Sequence, residues 1–548
     1  MGLMDQLPPE ILFHILEWTV IALYGNKNDL LQLRTTCKMF DEILKPFALR
    51  TLQLEFTRLN KSTRETNPLD DDALCRAGPV CRALYLDMMV VRDEGEVRFL
   101  SELFSHIGAM DDFTANLRHK FCMTETSFTE IDYRRQLGTM LEYAPNVEAV
   151  KLNLPFQLVY PRQYRAATII LGNSFEALVQ RPEESRTLKT LVLENLSNIS
   201  VVSLWRNPQD VKNIITVFSD LRHLFMSVRR NEEGQTHTIS FRNRLWEMIG
   251  KAEKLESLCL VDLDAIEKSE VKVKVTSLLD ASIEDWQSRC IPTITKPPKS
   301  VLPNLTFLEL RQVEVMGCDL LSMFKYFVKS LRELYLDGVW LKAVHLPQNP
   351  HHSTCNLWIG LPNMRPQSDQ RWIATYLRQI RSRLRVCRVA NLGYDQFILN
   401  ALYQLSGSGP KFDLADPCDL SRTLEQRFVE VAMGIEQPPA PDGSPVVYLP
   451  EEPLQDAWAL ADRSRTENPL KLEDWDARYY LATHPSPTSS WQHSIDGQFP
   501  NGNQFTLNTL QGFAENAYHG MALLNELSQL SEAADVEGSA EEEGGFVA

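Results

Sequence analysis

The side chains best suited to hold a metal ion lie in one stretch of the sequence. His345, His351, His352 and Cys355 offer nitrogen and sulfur donors of the kind that bind zinc. Their spacing matches none of the usual arrangements of zinc ligands and is more typical of a polar surface loop. We therefore predict no metal site here.

Two other segments contain residues of the kind that bind a phosphate group or a cation. Residues 407–411 (GSGPK) have the composition of a phosphate-binding loop, but they lack the spacing G-x-x-x-x-G-K-[ST], and Pro410 has no backbone N–H to donate. Asp70, Asp71 and Asp72 are adjacent, so their carboxylates do not converge on one ion, and a solvated turn is favoured. The sequence predicts a protein without a catalytic centre, cofactor or metal.

The composition indicates a chain with a sizeable apolar core. Of 548 residues, 44% are hydrophobic and 23% are charged, and the formal net charge of -16 disfavours binding to the phosphate backbone of nucleic acids. The ten cysteines form no C-x-x-C pair, which favours reduced thiols in a cytoplasmic or nuclear protein. Glu10, His14 and Glu17 interrupt the first apolar run, so we expect neither a signal peptide nor a membrane span.

The first fifty residues have a helical pattern. Pro8 and Pro9 followed by Glu10 predict a helix start, and the pair Gly25-Asn26 predicts its end. Further apolar residues recur at helical spacing up to Pro46, where we expect the second helical segment to stop. The pattern predicts two or three short helices with more apolar surface than they can cover among themselves.

Four ordered submotifs in this region resemble the F-box. They are LPPEIL from Leu7, the pair Ile15-Leu16, DLLQL from Asp29 and CKMF from Cys37. The resemblance implies that residues 1–50 bind the Skp adaptor of a Skp–cullin ubiquitin ligase. The residues that it assigns to adaptor contact are Leu7, Pro8, Ile11, Leu12, Ile15, Leu16, Leu30, Leu33, Cys37 and Phe40. The alternative is a helical hairpin that packs on the rest of the chain.

Residues 51–435 carry a recurring L-x-x-L-x-L pattern that resembles the leucine-rich repeat. The clearest copies begin at Leu188, Leu255, Leu305 and Leu331, and weaker copies begin at Val80, Val147, Leu221 and Leu384. The resemblance implies an α/β fold in which short strands of an irregular solenoid alternate with helical insertions. Intervals between copies run from the mid-twenties to over sixty residues, whereas regular repeats take about 20–29. We therefore expect a degenerate horseshoe with only some parallel pairing.

The segments between the strands predict helices and loops. Partial helical periodicity is present at residues 207–218, 245–254, 266–289, 316–329 and 368–381. Residues 297–298 and 349–366 have the proline content of long loops.

Residues that alternate with the core leucines should share one concave face. Such a mixture of aromatic and charged side chains is typical of a protein-binding surface, although most individual members of it are expected to be solvated strand residues. The candidate target-binding residues are His223, Phe225, Phe307, Glu309, Arg311, Glu333, Tyr335 and Asp337.

The last part of the chain divides by composition. An amphipathic helix is predicted at 420–435, followed by a proline-rich connector at 436–453. Residues 454–530 form an aromatic-rich segment that we expect to pack on the body, with a helix near 507–530. Residues 531–548 are expected to be a disordered acidic tail.

Together these patterns predict a non-catalytic substrate receptor of a ubiquitin ligase. Its expected partners are a protein target and the Skp adaptor, which in turn binds a cullin ligase core. We expect it to bind neither nucleic acid nor a membrane. Two alternatives are a repeat scaffold outside any ligase and an enzyme within residues 440–530.

Overall fold

The computed structural model describes fourteen ranges of two or more residues and one isolated residue. They are residues 8–23, 27–55, 70–88, 130–154, 164–185, 187–229, 235–262, 273–288, 302–327, 329–345, 356–360, 372–379, 386–398 and 423–434, with Leu384 alone. Several sequence predictions lie outside this part of the chain: the loops at 297–298 and 407–411, the connector, the aromatic-rich segment and the acidic tail.

The N-terminal region forms three helices, α1 (Pro9–Ala22), α2 (Lys27–Arg34) and α3 (Lys38–Ala48). Asp29 lies in the first turn of α2 and Arg34 in its last, which suits the helix dipole at both ends. The expected stop at Pro46 is wrong, because α3 continues through Pro46 to Ala48. Leu44 and Ala48 are buried there, and the Leu49 N–H caps the Lys45 carbonyl at 3.0 Å, so packing and capping compensate for the missing donor.

The rest of the described chain is α/β. Nine parallel strands form one sheet in chain order, each next to the strand before it: β1 (Thr51–Glu55), β2 (Ala83–Asp87), β3 (Ala149–Asn153), β4 (Thr190–Ser197), β5 (His223–Arg229), β6 (Ser257–Asp262), β8 (Phe307–Arg311), β10 (Glu333–Asp337) and β12 (Val386–Ala390). A second parallel sheet has the order β7 (Val273–Ser277), β13 (Gly393–Ile398), β11 (Trp340–His345) and β9 (Glu314–Met316). The expectation of only partial parallel pairing was too weak, because every pairing between these strands is parallel.

Helices connect the strands of the large sheet. They are α4 (Asp71–Ala77), α5 (Glu130–Tyr143), α6 (Tyr164–Gln180), α7 (Asn198–Leu204), α8 (Pro208–Phe218), α9 (Gln235–Ile249), α10 (Ile283–Ser288), α11 (Gly317–Phe327), α12 (Ile373–Gln379) and α13 (Leu424–Met433). Helices α8, α9, α11 and α12 fall in or across segments with predicted helical periodicity. The amphipathic helix expected at 420–435 is α13, which begins with a capping box at Thr423 and ends at Gly434 with φ of 72°.

Strand register aligns the leucines of the repeated pattern into two continuous rows. Leu84 of β2 is level with Val150, and the same row continues through Leu191, Leu224 and Leu258. A second row, two residues further along each strand, passes from Leu86 through Leu152, Leu193, Met226 and Leu260. Both rows are almost completely buried in one large core together with the apolar faces of the connecting helices. We call them the leucine rows.

The opposite face of the large sheet carries the first, third and fifth residues of each strand, and we call it the mixed face. Its apolar members form a separate cluster: Ala83, Tyr85, Ala149, Val192, Phe225, Cys259 and Val261. Since successive side chains of a strand point to opposite faces, the alternation predicted from sequence is the one observed.

Three residues in the left-handed region turn the chain from the large sheet into the small one. Gln312 (φ 52°) links β8 to β9, Gly338 (φ 66°) links β10 to β11, and Asn391 (φ 52°) links β12 to β13. The turns are stacked, because the Gln312 N–H donates to the Asp337 carbonyl at 2.7 Å and the Gly338 N–H to the Ala390 carbonyl at 3.1 Å. The small sheet therefore grows beside the large one, one strand per turn.

Strand β7 reaches the small sheet from much earlier in the chain. It follows β6 in sequence yet pairs with β13, with Asp395 level with Lys274. Helix α10, just after β7, places the Trp286 ring on Phe397 at a centroid distance of 5.2 Å. The helix expected over residues 266–289 is therefore wrong for residues 273–277. The alternation Val271-Lys272-Val273-Lys274-Val275 is a strand pattern that the helical interpretation overlooked.

The structure describes residues 356–360 of the loop expected at 349–366, and these five residues are not a surface loop. Within it, residues 356–360 are buried, and Leu357 bridges to Trp372 in parallel fashion. The Trp358 indole donates to the Gly393 carbonyl at 2.9 Å. Tertiary packing of Trp358 thus draws this segment into the core.

The left-handed turn at Gly338 gives a test of the fold. Gly338→Ala should lower the free energy of unfolding by about 1 kcal/mol, because an L-residue is strained at this φ, whereas a Cβ would meet only ordinary contacts with Gln312 at 3.5 Å. Gly138→Ala is the matched control. It lies exposed within α5 with nothing near a new Cβ, so it should raise stability by about 0.5–1 kcal/mol. Urea unfolding followed by circular dichroism measures both, and equal shifts would contradict the assigned turn.

Candidate interaction surfaces

The N-terminal helices have a small core of their own. It is formed by Leu12, Leu16, Leu30, Phe40, Leu44 and Ala48, with no member from the large core. Helix α3 contacts both α1 and α2, and an Arg34–Asp41 ion pair at 2.7 Å closes the turn between α2 and α3. Four of the residues expected to contact an adaptor, Leu12, Leu16, Leu30 and Phe40, thus hold the module together.

The other predicted adaptor residues lie differently. Pro8, Ile11, Ile15 and Cys37 are exposed, and Leu33 is half-buried against the module's core. Leu7 lies outside the described residues. The nine of these residues that the structure describes therefore divide into an inner set that folds the module and an outer set that a partner could reach.

Helix α1 shows a second apolar stripe on its outer side. Ile11, Ile15 and Trp18 follow one another at helical spacing and are 48%, 37% and 70% exposed. Phe13, Met39 and Phe47 are also exposed large apolar side chains. We call Ile11, Ile15 and Trp18 the outer stripe. Trp18 was not among the ten predicted residues, although its helical spacing from Ile11 and Ile15 places it on the same stripe.

All eight candidate target-binding residues lie on the mixed face. His223, Phe307 and Glu333 occupy the first position of β5, β8 and β10, and the strand register places Phe307 directly beside Glu333. Phe225, Glu309 and Tyr335 share the third position, and Arg311 and Asp337 the fifth. The fold brings these residues into one patch, as the alternation predicted.

The patch is more buried than a solvated strand surface. Phe225, Phe307, Glu309, Tyr335 and Asp337 are buried, while the remaining three are half-buried: His223, Arg311 and Glu333. The Phe307 and Tyr335 rings pack at 4.7 Å, and the Tyr335 hydroxyl donates to Glu333 at 3.1 Å. The accessible part of this patch therefore consists of its polar members.

Charge on the patch is balanced by close contacts. Arg311 lies 3.8 Å from Glu309 and 3.9 Å from Asp337, and Asn391 donates to Asp337 at 2.9 Å. Burial, reinforced by the neighbouring Glu309 carboxylate, raises the pKa of the Cys259 thiol well above its usual value. Cys259 is therefore held as a neutral thiol and is unsuited to nucleophilic catalysis.

A second polar ladder follows the carboxyl ends of β2 to β5. Asn195 donates to Asn153 at 2.8 Å, and Asn153 donates to Asp87 at 2.9 Å. Lys151 pairs with Glu194 at 3.0 Å and lies over the Tyr85 ring at 5.1 Å from its centroid. These buried and half-buried groups are satisfied by one another, which explains how a polar row persists on an otherwise packed face.

The small sheet contains the most buried charge in the described chain. The Lys342 ammonium is inaccessible to solvent and lies 2.6 Å from Glu314 and 3.3 Å from Asp395. It also donates to the Trp286 carbonyl and lies over the Trp286 ring at 4.4 Å. All three side chains are sealed from solvent, so a substrate cannot reach them. The arrangement is structural.

The Asp triplet near the start of the body serves as a helix cap. The Asp70 carboxylate accepts a hydrogen bond from the Ala73 N–H at 3.1 Å, and Asp71 and Asp72 lie in the first turn of α4. Among the residues that the structure describes, no group of three or more His, Cys, Asp or Glu side chains is arranged to hold a metal ion. His345 ends β11, while His351, His352 and Cys355 lie outside the described residues.

No helix in the described ranges is long and apolar enough to cross a membrane. Comparison of the sequence with protein-family models found no match, and comparison with curated proteins found none either.

The buried ion cluster predicts a large stability effect. Lys342→Met should lower the free energy of unfolding by about 3–5 kcal/mol, because it leaves Glu314 and Asp395 buried without their cation. The control is Lys254→Met, whose partner Asp220 is on the surface, and it should change stability by less than about 1 kcal/mol. Chemical denaturation measures both, and a small effect of Lys342→Met would show that solvent reaches the site.

His223 gives a pH prediction. Burial lowers the pKa of His223 in the folded protein, more than Glu256 raises it, so the unfolded chain binds the proton more readily. Stability should therefore fall as the pH drops below about 6.5, the usual histidine value. His223→Gln should lessen the drop in thermal midpoint between pH 7.5 and 5.5, whereas His14→Gln, at an exposed position, should not. Identical profiles for wild type and His223→Gln would contradict this.

Proposed function

We propose that this protein is the substrate-recognition subunit of a Skp–cullin–F-box ubiquitin ligase, in the cytoplasm or nucleus. It is itself non-catalytic. The N-terminal helices bind the Skp adaptor, and the body, a leucine-rich-repeat solenoid, binds the protein to be modified. The observation that carries the proposal is the outer stripe of α1, which stands exposed beside a module that is already folded around its own core.

The outer stripe has the character of an unfilled protein interface. Three large apolar side chains on adjacent turns of one helix cost free energy in water, at about 25 cal/mol for each Å² exposed. Soluble monomers rarely retain such clusters unless another surface covers them. Helix-in-groove recognition reads side chains at this spacing, which fits Ile11, Ile15 and Trp18. The F-box-like order of the submotifs supports the Skp adaptor as the partner.

The architecture of the body supports a role in protein binding. The nine described strands of the large sheet follow chain order without reversal, so this sheet lacks the switch point at which doubly wound proteins bind nucleotides. Helices packed on one face and leucine rows in register are the features expected of a leucine-rich repeat. Such bodies offer extended surfaces suited to proteins.

The mechanism that follows is proximity. A receptor that holds a target near a ubiquitin-charged enzyme converts an encounter between two molecules into a reaction within one assembly, which raises the effective concentration of the target lysine. No residue of the receptor needs to take part in bond formation. The receptor needs two binding surfaces on one rigid frame.

Hydrogen bonds join the end of the N-terminal module to the start of the body, which supports the proposal. Helix α3 ends at Ala48 and β1 begins at Thr51. The Arg50 carbonyl accepts a hydrogen bond from the Ala83 N–H at 3.0 Å, and the Leu49 carbonyl accepts one from the Cys81 thiol at 2.9 Å. This continuity also suits the alternative function, a scaffold whose helices simply cap the body.

Binding to a Skp adaptor distinguishes the proposed ligase receptor from the alternative scaffold. Ile11→Asp with Ile15→Asp should abolish co-purification with a co-expressed Skp adaptor, because two charges would enter the apolar interface. Leu278→Asp with Leu279→Asp is the control, since these residues are 50% and 82% exposed on the body. The control should bind like the wild type, as judged by size-exclusion chromatography of the co-expressed proteins.

Two results would contradict the proposal. A wild-type protein that elutes without the adaptor would favour the scaffold. Equal loss of binding in both double variants would show that the outer stripe is not the contact. Unchanged thermal midpoints in both variants would confirm that the substitutions leave the fold intact.

A further inference from the structure

A groove at the amino-terminal ends of the strands of the large sheet is lined by more positive than negative side chains. It encloses about 840 Å³ between the loop that precedes β8, the last turn of α11 and the loop that precedes β10. Lys325, Lys329 and Arg332 line it, together with Tyr326 and Asn304. Among its described lining residues the one carboxylate belongs to Glu256, which is already paired with Arg222 at 3.1 Å.

No described residue forms an ion pair with any of the three cations. Elsewhere along this edge, cations are paired: Lys189 with Glu148 at 2.6 Å, and Lys254 with Asp220. Within the described part of the chain, neither Lys325 nor Lys329 makes an ion pair, and the Arg332 guanidinium donates only to the Leu331 carbonyl at 3.2 Å. The groove therefore concentrates positive charge in a protein whose net charge is -16.

Helix stabilisation explains only part of this arrangement. Lys325 lies in the last turn of α11, where a cation complements the helix dipole. Lys329 and Arg332 come after the helix has ended at Phe327, and Arg332 immediately precedes β10. Their convergence with Lys325 on one open groove points to an external anion.

We propose that this groove binds an acidic, extended segment of a partner protein. Its volume is that of a site for several residues rather than for one small anion. The polar lining beside Tyr326 suits backbone and carboxylate oxygens, and complementary charge favours rapid, specific encounter. The inference rests on the proposed function for the partner's role as a target; the groove itself is independent of the N-terminal helices.

The experiment uses the full chain and a fluorescein-labelled peptide of eight glutamates, followed by fluorescence anisotropy. We expect saturable binding that weakens as salt is raised, because the screening length shrinks to about 8 Å at physiological ionic strength. Lys325→Glu with Lys329→Glu should weaken binding about tenfold or more, since two attractions become repulsions.

A matched control has the same change in total charge. Arg206→Glu with Lys212→Glu reverses two exposed cations next to and within α8, outside the groove, and should leave peptide affinity within about twofold of wild type. Since no adaptor takes part, loss of adaptor binding and loss of peptide binding are separate results.

Four outcomes would overturn the proposal. They are no binding by the wild-type chain, equal weakening by the two double variants, displacement of the peptide by equimolar inorganic phosphate, and tighter binding of a polyuridylate of equal charge. If only a variant with Glu541, Glu542 and Glu543 replaced by Gln bound the peptide, the groove would belong to the chain's own acidic end, and the proposal of an external partner would likewise fall.

Discussion

The register of the parallel strands is the constraint on which the rest of this structure depends. Leu258 lies level with Leu308, and Leu308 with Leu334, so leucines from distant parts of the chain meet in the same buried rows. Each fully buried leucine contributes roughly 1.5–3 kcal/mol relative to an exposed one. A slip of one residue would move a whole strand's leucines to the mixed face, so this register is strongly specified. The helices pack where they do because the leucine rows lie there.

The same register explains why the second sheet exists. Once β8, β10 and β12 are level, their ends are level too, and a left-handed residue at each end turns the chain in the same direction. The next residues, Val313, Val339 and Leu392, are fully buried, so each turn is anchored in the large core. The new strands then bring Glu314, Lys342 and Asp395 together. Their burial is a consequence of the turns, and the cluster helps to fix which strands of the small sheet are neighbours.

The sequence predicted the strands and the strand faces that depend on local periodicity. Period-two alternation at Leu188, Leu305 and Leu331 predicted β4, β8 and β10 and the face that each residue occupies. The pairing of β7 with β13 could not be predicted, because Thr276 and Asp395 are 119 residues apart and neither carries a signal for the other. Two of the three turns use Gln312 and Asn391 rather than glycine. Gln312 gave no sequence signal for a left-handed turn, and Asn391 gave only a weak one.

For the candidate surfaces, too, local periodicity predicted some features, and only the folded structure showed the others. Helical spacing predicted that the first residues are apolar on several sides, but only the packing of α1 against α3 separates the inner residue Leu12 from the outer residue Ile11. Burial of Glu309 and Tyr335 was equally invisible, since a strand pattern shows which face a residue occupies and says nothing of what covers it. The basic groove was missed because Lys325 and Arg332 belong to a helix end and a strand start that converge only in the folded chain.

The physical contrast between the outer stripe and the groove bears on how such a receptor could work. Contact through Ile11, Ile15 and Trp18 depends on apolar burial, which salt does not screen. Contact through Lys325, Lys329 and Arg332 depends on charge, which salt screens strongly. A protein with both surfaces can hold one partner steadily while exchanging another, because conditions that weaken the charged contact leave the apolar one intact. In the proposed receptor this separation would allow stable assembly together with rapid exchange of targets, because the two surfaces lie on different elements of the fold.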